Sequence, residues 1–287
     1  MELLIHNKQN IKKLEDYITK YFPSIKNSDF MTLVDIIYMT IIRLNINTET
    51  LLGDLYNGIL DLNKFRNEND GNIYDFIRPE YVQFAQRIKD INIGSNGGMA
   101  NVGKGEWLIS FCSGINSKSE ESFVSIIKKG RGDYEFNDNK KSEELKWNGG
   151  KVSTERSGLE VTRIFNDLIN IDDKHWVPFR INDRKKYSED IIKTYNAMYW
   201  KAISGETNIS LTDNELKQKI ISMAFNNTFK KCDTFIMFNN DGKFHRFHSS
   251  TEANKYYEDK YERLIGMKGF ECRSKQKNPI ALYCQVF

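Results

Sequence analysis

The spacing of hydrophobic residues changes at a glycine-rich segment, and this change constrains the fold more than any other feature. Before residue 92, apolar residues such as Leu33, Ile37 and Ile41 recur every three or four positions, which is the spacing of amphipathic helices. The segment 92–98 interrupts that pattern with three glycines. Short apolar runs and turn residues follow to about residue 165, and these are typical of strands. The sequence therefore predicts an α/β (α+β) fold, with a central mixed β-sheet flanked by helices and a helical N-terminal region.

The same patterns suggest three parts of the chain. Residues 1–92 are expected to form a helical N-terminal subdomain, 93–169 a core that carries the candidate site, and 170–287 an α/β portion that completes the core and a cleft. Helical spacing predicts helices at 11–21, 33–44, 48–60, 79–91, 159–169, 187–204, 212–225 and 250–265. Strands are predicted at 234–238, 243–247 and 280–287, with a turn at 239–242.

Composition narrows the class of protein without deciding its function. A hydrophobic fraction of 39% can fill a core, and the net charge of only +3 neither requires nor excludes a nucleic-acid partner. The four cysteines are scattered without paired spacing, which disfavours a zinc site or a disulfide scaffold and favours the cytoplasm. No apolar stretch approaches the ~18 residues of a membrane helix, so no membrane association is expected.

The most informative segment is a predicted β-hairpin. Tyr134–Phe136 and Glu144–Trp147 have strand character, and residues 137–140 are suited to the turn between them. Asp133 opens the first strand, and neighbouring strands lie ~4.8 Å apart, so its carboxylate can approach that of Glu144. Side chains alternate along a strand, so Glu144 and Lys146 should project from one face while Leu145 points into the core.

These residue types suit the hydrolysis of a phosphodiester. A hard divalent cation neutralises charge on the phosphate and lowers the pKa of an attacking water, and it requires oxygen ligands. Asp133, Glu144 and the backbone carbonyl of Leu145 are the candidate ligands. Lys146, held beside the cation, is expected to orient or deprotonate the water and to stabilise the developing charge. The cation is expected to be Mg²⁺, with Mn²⁺ as a substitute.

An acidic residue in one strand followed by Glu-x-Lys in the next resembles the PD-(D/E)XK, or restriction-endonuclease-like, nuclease superfamily over about residues 103–156. The resemblance implies that Glu106, at a helix start after Gly105, is the upstream glutamate of the metal site. The stretch after the triplet is similar to the glycine-rich, basic continuation of some members, which approaches a phosphate. Contacts to nucleic acid are accordingly expected from Lys104, Arg131, Gly149, Gly150, Lys151 and Arg156. The chain departs from the motif in having Gly132, and no proline, before Asp133.

Glu-x-Lys also occurs twice elsewhere, and context separates the three copies. Glu215 follows Thr212 at the spacing of a helix capping box, so it is expected to cap a helix. Glu258 and Lys260 lie in a predicted helix. Only Glu144 has strand-like surroundings with an aspartate-bearing strand just before it.

The leading hypothesis is a magnesium-dependent DNA endonuclease of the restriction, phage or mobile-element type. Double-stranded DNA is the expected substrate, and a homodimer would supply two active sites for two strands. A non-catalytic nucleic-acid-binding or structural protein that keeps a nuclease fold is the alternative. An exonuclease, an RNA-directed enzyme and an ordinary surface hairpin also stay open.

Overall fold

The computed structural model describes residues 2–22, 27–89, 104–118, 121–126, 132–147, 151–157, 201, 205, 213–258 and 279–283. Its helices are α1 (Glu2–Tyr21), α2 (Asn27–Leu44), α3 (Thr48–Asn57), α4 (Leu62–Asn67), α5 (Val82–Lys89), α6 (Lys104–Cys112), α7 (Asp213–Phe229) and α8 (Ser250–Tyr257). Short 3₁₀ helices span Ile73–Phe76 and Pro79–Tyr81. The strands are β1 (Asp70–Asn72), β2 (Ile115–Asn116), β3 (Glu121–Ser122), β4 (Val124–Ile126), β5 (Tyr134–Phe136), β6 (Ser142–Trp147), β7 (Lys151–Ser157), β8 (Thr234–Phe238), β9 (Lys243–Phe247) and β10 (Pro279–Tyr283). The mixed α/β class predicted from the sequence is confirmed.

The chain divides into two compact units. The first comprises Met1–Trp147 and Ile236–Arg246, and the second comprises Asn148–Phe235 and Phe247–Phe287. The helical N-terminal region and the predicted hairpin therefore belong to the same unit. The domain boundary predicted near residue 92 lies outside the described residues, and the three-part division stays a prediction.

A six-stranded sheet organises the first unit, in the order β1-β9-β8-β6-β5-β4. The pairs β1–β9, β4–β5 and β5–β6 are antiparallel. Apolar residues from α1–α3, α5 and α6 form one buried cluster with Leu145, Ile236, Phe238 and Phe244 of the sheet. The sheet therefore packs against these helices. β5 and β6 are interior strands of the sheet and not edge strands.

The N-terminal region is largely helical as predicted, with two corrections. It also contributes a strand, β1 (Asp70–Asn72), which pairs with β9. The helix predicted at 48–60 ends at Asn57. Gly58 has a φ of 90°, outside the helical region, and ends the helix. Ile59 and Leu60 are buried instead by an extended segment, in which their N–H groups both donate to the carbonyl of Cys112 at 3.0 and 2.9 Å. The spacing of hydrophobic residues could not predict this end of the helix, because Ile59 and Leu60 both lie in the core.

Gly58 and Gly114 approach each other through their backbones. Gly114 has a φ of 88°, and a Cβ there would lie 2.6 Å from the nitrogen of Gly58. We therefore expect Gly114→Ala to lower the free energy of unfolding by about 2 kcal/mol or more, because it adds backbone strain to a contact that cannot relax through a side chain. Urea unfolding measures the change.

Gly53 is the matched control for this substitution. It lies within α3, and a Cβ at Gly53 would meet nothing within 4 Å. Gly53→Ala should raise the free energy of unfolding by about 0.5–1 kcal/mol, because alanine restricts the unfolded chain and favours the helix. Equal stability of the Gly114→Ala variant and the wild type would contradict the packing described for these two loops.

The second unit contains an antiparallel pair of β7 and β10, with α7 packed against β7 and α8 against α7. Its described core includes the aromatic cluster Phe225, Phe235, Phe247, Tyr256 and Tyr257. The helices predicted at 212–225 and 250–265 correspond to α7 and α8, although α8 ends at Tyr257. The helix predicted at 159–169, most of that at 187–204, and the last residues of the strand at 280–287 lie outside the described residues.

The predicted turn at 239–242 is confirmed, and it joins β8 to β9. Asn239 and Lys243 close it with a backbone hydrogen bond of 2.8 Å, and Gly242 adopts a φ of 85°. In the part of the chain that the structure describes, no single helix has the length and apolar character of a membrane span.

Candidate functional site

The predicted hairpin of β5 and β6 is present, and its register sets the site. Tyr134 lies opposite Glu143, and Glu135 lies opposite Ser142. Asp133 immediately precedes β5, and its N–H donates to the carbonyl of Glu143 at 2.8 Å. The paired register ends at Tyr134 and Glu143, so Asp133 lies at its end, beside β6. Gly132, which directly precedes Asp133, has a φ of 79°, a conformation that glycine adopts without strain.

Strand alternation separates the site residues from the core as predicted. Leu145 is 3% exposed and joins the buried cluster. The side chains of Glu144 and Lys146 project from the opposite face and are 22% and 15% exposed, while that of Asp133 is 21% exposed. The site is therefore a half-buried polar cluster on the face of β6 that points away from Leu145.

Three oxygen atoms converge on the ammonium group of Lys146. Its Nζ lies 2.9 Å from Asp133 Oδ2, 2.5 Å from Glu144 Oε1 and 3.1 Å from the carbonyl oxygen of Leu145. Asp133 Oδ2 also accepts the N–H of Leu145 at 2.8 Å, so its carboxylate is fixed by the main chain of the neighbouring strand. The three candidate metal ligands of the hairpin are thus brought to a common point, and Lys146 lies at that point.

The charge of Lys146 follows from these neighbours. Burial alone would lower the pKa of its ammonium group, but the carboxylates of Asp133 and Glu144 outweigh this effect, and the pKa lies above its ordinary value. Lys146 is therefore a cation at neutral pH in this arrangement. In this arrangement it is suited to orient a ligand and to stabilise negative charge, and its role in deprotonating the water stays a prediction.

Helix α6 packs against the other face of β6. A Cβ at Gly105 would lie 2.6 Å from Leu145 Cδ2 and 2.9 Å from Trp147 Cε3, so a glycine is required for this close approach. Glu106 follows it in the first turn of α6 and is half-buried. Within the described ranges, no group of three or more His, Cys, Asp or Glu side chains is placed to hold a metal ion. The contribution of Glu106 to the site stays a prediction.

The candidate contacts to nucleic acid are only partly described. Arg131, Gly149 and Gly150 lie outside the described residues. The backbone of Lys104 begins α6, and those of Lys151 and Arg156 belong to β7 in the second unit. Their role in binding nucleic acid stays a prediction.

The other copies of Glu-x-Lys are only partly described: the capping role of Glu215 stays a prediction, and Glu258 lies just past the end of a helix and not within it. Glu215 is exposed in the first turn of α7, and Glu258 follows the end of α8. Lys260 is outside the described residues. Of the described copies, Glu144–Lys146 alone lies on a strand, as predicted.

Beneath the site lies a buried polar network that the sequence analysis missed. Glu143 is 3% exposed and Arg246 is 1% exposed, and Arg246 Nε donates to Glu143 Oε1 at 2.9 Å. Tyr134 donates its hydroxyl hydrogen to Glu143 Oε2. Burial and the Glu143 carboxylate raise the pKa of Tyr134 well above its ordinary value, so the hydroxyl stays protonated. The network joins β5, β6 and β9 on the face opposite the site.

Arg246 also bonds to the main chain and to aromatic rings. Its Nη1 donates to the carbonyl of Phe65 at 2.7 Å and to that of Glu68, and its guanidinium lies 4.6 Å from the ring centre of Phe65. The available sequence signals were the pair Glu143-Glu144, of which one must face the core in a strand, and an arginine among the phenylalanines of β9. Neither of these two sequence signals indicates that Glu143 and Arg246 pair with each other.

The donor set of the hairpin agrees chemically with a hard divalent cation. Two carboxylate oxygens and one carbonyl oxygen are the ligand types that Mg²⁺ prefers. Comparison with known protein families, with curated protein sequences and with solved structures gave no match. The functional argument therefore rests on the residues of the hairpin.

Proposed function

We propose that the chain is a magnesium-dependent DNA endonuclease of the PD-(D/E)XK class. The observation that carries this proposal is the convergence of Asp133, Glu144, the Leu145 carbonyl and Lys146 at one point on an antiparallel hairpin. Asp133, Glu144 and Lys146 are the positions that the acidic residue and the Glu-x-Lys triplet of the sequence motif occupy.

Asp133, Glu144 and the Leu145 carbonyl would hold the cation, with Glu106 as a further candidate. When bound, Mg²⁺ would neutralise charge on the scissile phosphate and lower the pKa of the attacking water. Asp133 is held in position by the Leu145 N–H, so its carboxylate need not reorganise during the reaction. Lys146 would lie beside the phosphate and stabilise the charge that develops on it.

The two described cysteines, Cys112 and Cys232, are buried. A cytoplasmic location is part of the proposal, since the scattered spacing of the four cysteines in the sequence disfavours a disulfide scaffold. Duplex DNA and a homodimer with one site per strand remain part of the proposal.

One observation favours a second candidate, a non-catalytic nucleic-acid-binding protein that keeps the hairpin. Lys146 already pairs with both carboxylates, so it compensates part of their negative charge without a metal ion. Such a protein would bind DNA equally well with and without a divalent cation.

Incubation with supercoiled plasmid separates the two candidates. We expect nicked and linear products with Mg²⁺ and none with EDTA. Asp133→Asn should abolish these products, because asparagine keeps the hydrogen-bond acceptor for the Leu145 N–H but removes the charged ligand. Asp138→Asn is the control, since Asp138 lies in the turn of the same hairpin and pairs with Arg66 at 2.7 Å. Intact plasmid with every divalent cation would overturn the enzymatic proposal.

A further inference from the structure

We propose that Lys146 competes with the divalent cation for the same three oxygens, so that the metal must displace the ammonium group to bind. The proposal rests on the proposed metal site. It assigns Lys146 a second role: in the absence of metal, its ammonium group is the counter-ion of the two carboxylates and occupies the position of the metal.

The distances support mutual exclusion. The Nζ of Lys146 lies between 2.5 and 3.1 Å from one oxygen each of Asp133, Glu144 and Leu145. A magnesium ion would bind such oxygens at about 2.0–2.1 Å and would lie in the same space. Two cations cannot share that space, because their repulsion at such a separation is large in a half-buried site.

Displacement has a consequence for the substrate. Once the carboxylates hold a metal ion, the ammonium group of Lys146 loses both of its ion-pair partners. A phosphate oxygen of the bound phosphodiester is a strong acceptor for a lysine ammonium group. The metal ion and the anionic backbone of DNA should therefore each favour the binding of the other, since one removes Lys146 from the carboxylates and the other accepts it.

Calorimetric titration of the DNA-free protein with MgCl₂ or MnCl₂ tests the competition. Lys146→Met keeps the length of the side chain and removes its charge. We expect this variant to bind the cation about tenfold or more tightly than the wild type, because the cation no longer has to displace an ammonium group from the same oxygens. Unchanged or weaker binding by the variant would overturn the proposal.

Two controls identify the site in this titration. Lys141→Met removes an exposed lysine from the same hairpin and should leave the affinity unchanged. Adding Asp133→Asn to Lys146→Met should abolish the gain. A gain that survives Asp133→Asn places the cation elsewhere and contradicts the competition.

A second measurement uses the wild-type protein and needs no folded variant. Brief acetylation with acetic anhydride, followed by peptide mass spectrometry, reports the reactivity of each lysine. Lys146 should react slowly without metal and faster at saturating Mg²⁺, relative to Lys141 as the internal reference. Equal or lower reactivity of Lys146 with Mg²⁺ would overturn the proposal.

These results are independent of the cleavage assay. If the competition is observed but plasmid is not cleaved, the proposed nuclease function is wrong and the competition between Lys146 and the cation stands. If plasmid is cleaved but Lys146→Met does not bind the cation more tightly, the competition is wrong and the proposed nuclease function stands.

Discussion

Replacing Arg246 with methionine should lower the free energy of unfolding by about 3–5 kcal/mol, because it leaves a buried carboxylate without its charged partner. Glu143 is 3% exposed and accepts from Arg246 Nε at 2.9 Å. The variant also removes the donor to the carbonyls of Phe65 and Glu68. Urea unfolding followed by tryptophan fluorescence reports this change, since Trp107 and Trp147 lie in the same unit.

A double variant separates the charge effect from the loss of packing. In Glu143→Gln with Arg246→Met, the buried charge is gone and the glutamine oxygen still accepts from Tyr134. This variant should be more stable than Arg246→Met alone. Lys12→Met, which breaks the exposed pair of Lys12 with Asp16, should leave the stability unchanged. If Arg246→Met were as stable as Lys12→Met, the buried network would not stabilise the fold.

The second large effect is expected in catalysis. Lys146→Met should reduce the rate of DNA cleavage by about 100-fold or more, because it removes a positioned positive charge beside the reacting phosphate. The rate is to be measured in single turnover at saturating Mg²⁺, so that the tighter metal binding expected for this variant does not affect the measured rate.

The combination of tighter metal binding and slower cleavage is specific to Lys146. Lys141→Met should cleave at the wild-type rate. Asp133→Asn should lose both metal binding and cleavage. Cleavage by Lys146→Met at the wild-type rate would show that the lysine has no part in the reaction.

The site hairpin was predictable because its determinants are local. Residues 133–147 contain both strands and the turn, and period-two alternation decides which side chains leave the core. Leu145 is buried and Glu144 and Lys146 are not, as that alternation requires. The turn at 239–242 was predictable for the same reason.

The partners of buried polar groups were not predictable. Glu143 and Arg246 are 103 residues apart in the chain, and no local pattern selects one for the other. Likewise, no local pattern predicts that Gly114, from a distant loop, approaches Gly58 just beyond the end of α3. The position of Glu106 depends on how α6 packs against β6, and helix periodicity carries no information about that contact.

The sequence by itself determined the mixed α/β class, the hairpin and the identity of the residues that share one face of it. Local backbone preferences and the alternation of side chains act within a few residues, so they can be read along the chain. Only the tertiary structure decided that Glu143 and Arg246 neutralise each other in the core. Their pairing depends on the free energy of bringing charges out of water beside a partner that is distant in the sequence, and that free energy is set by three-dimensional packing.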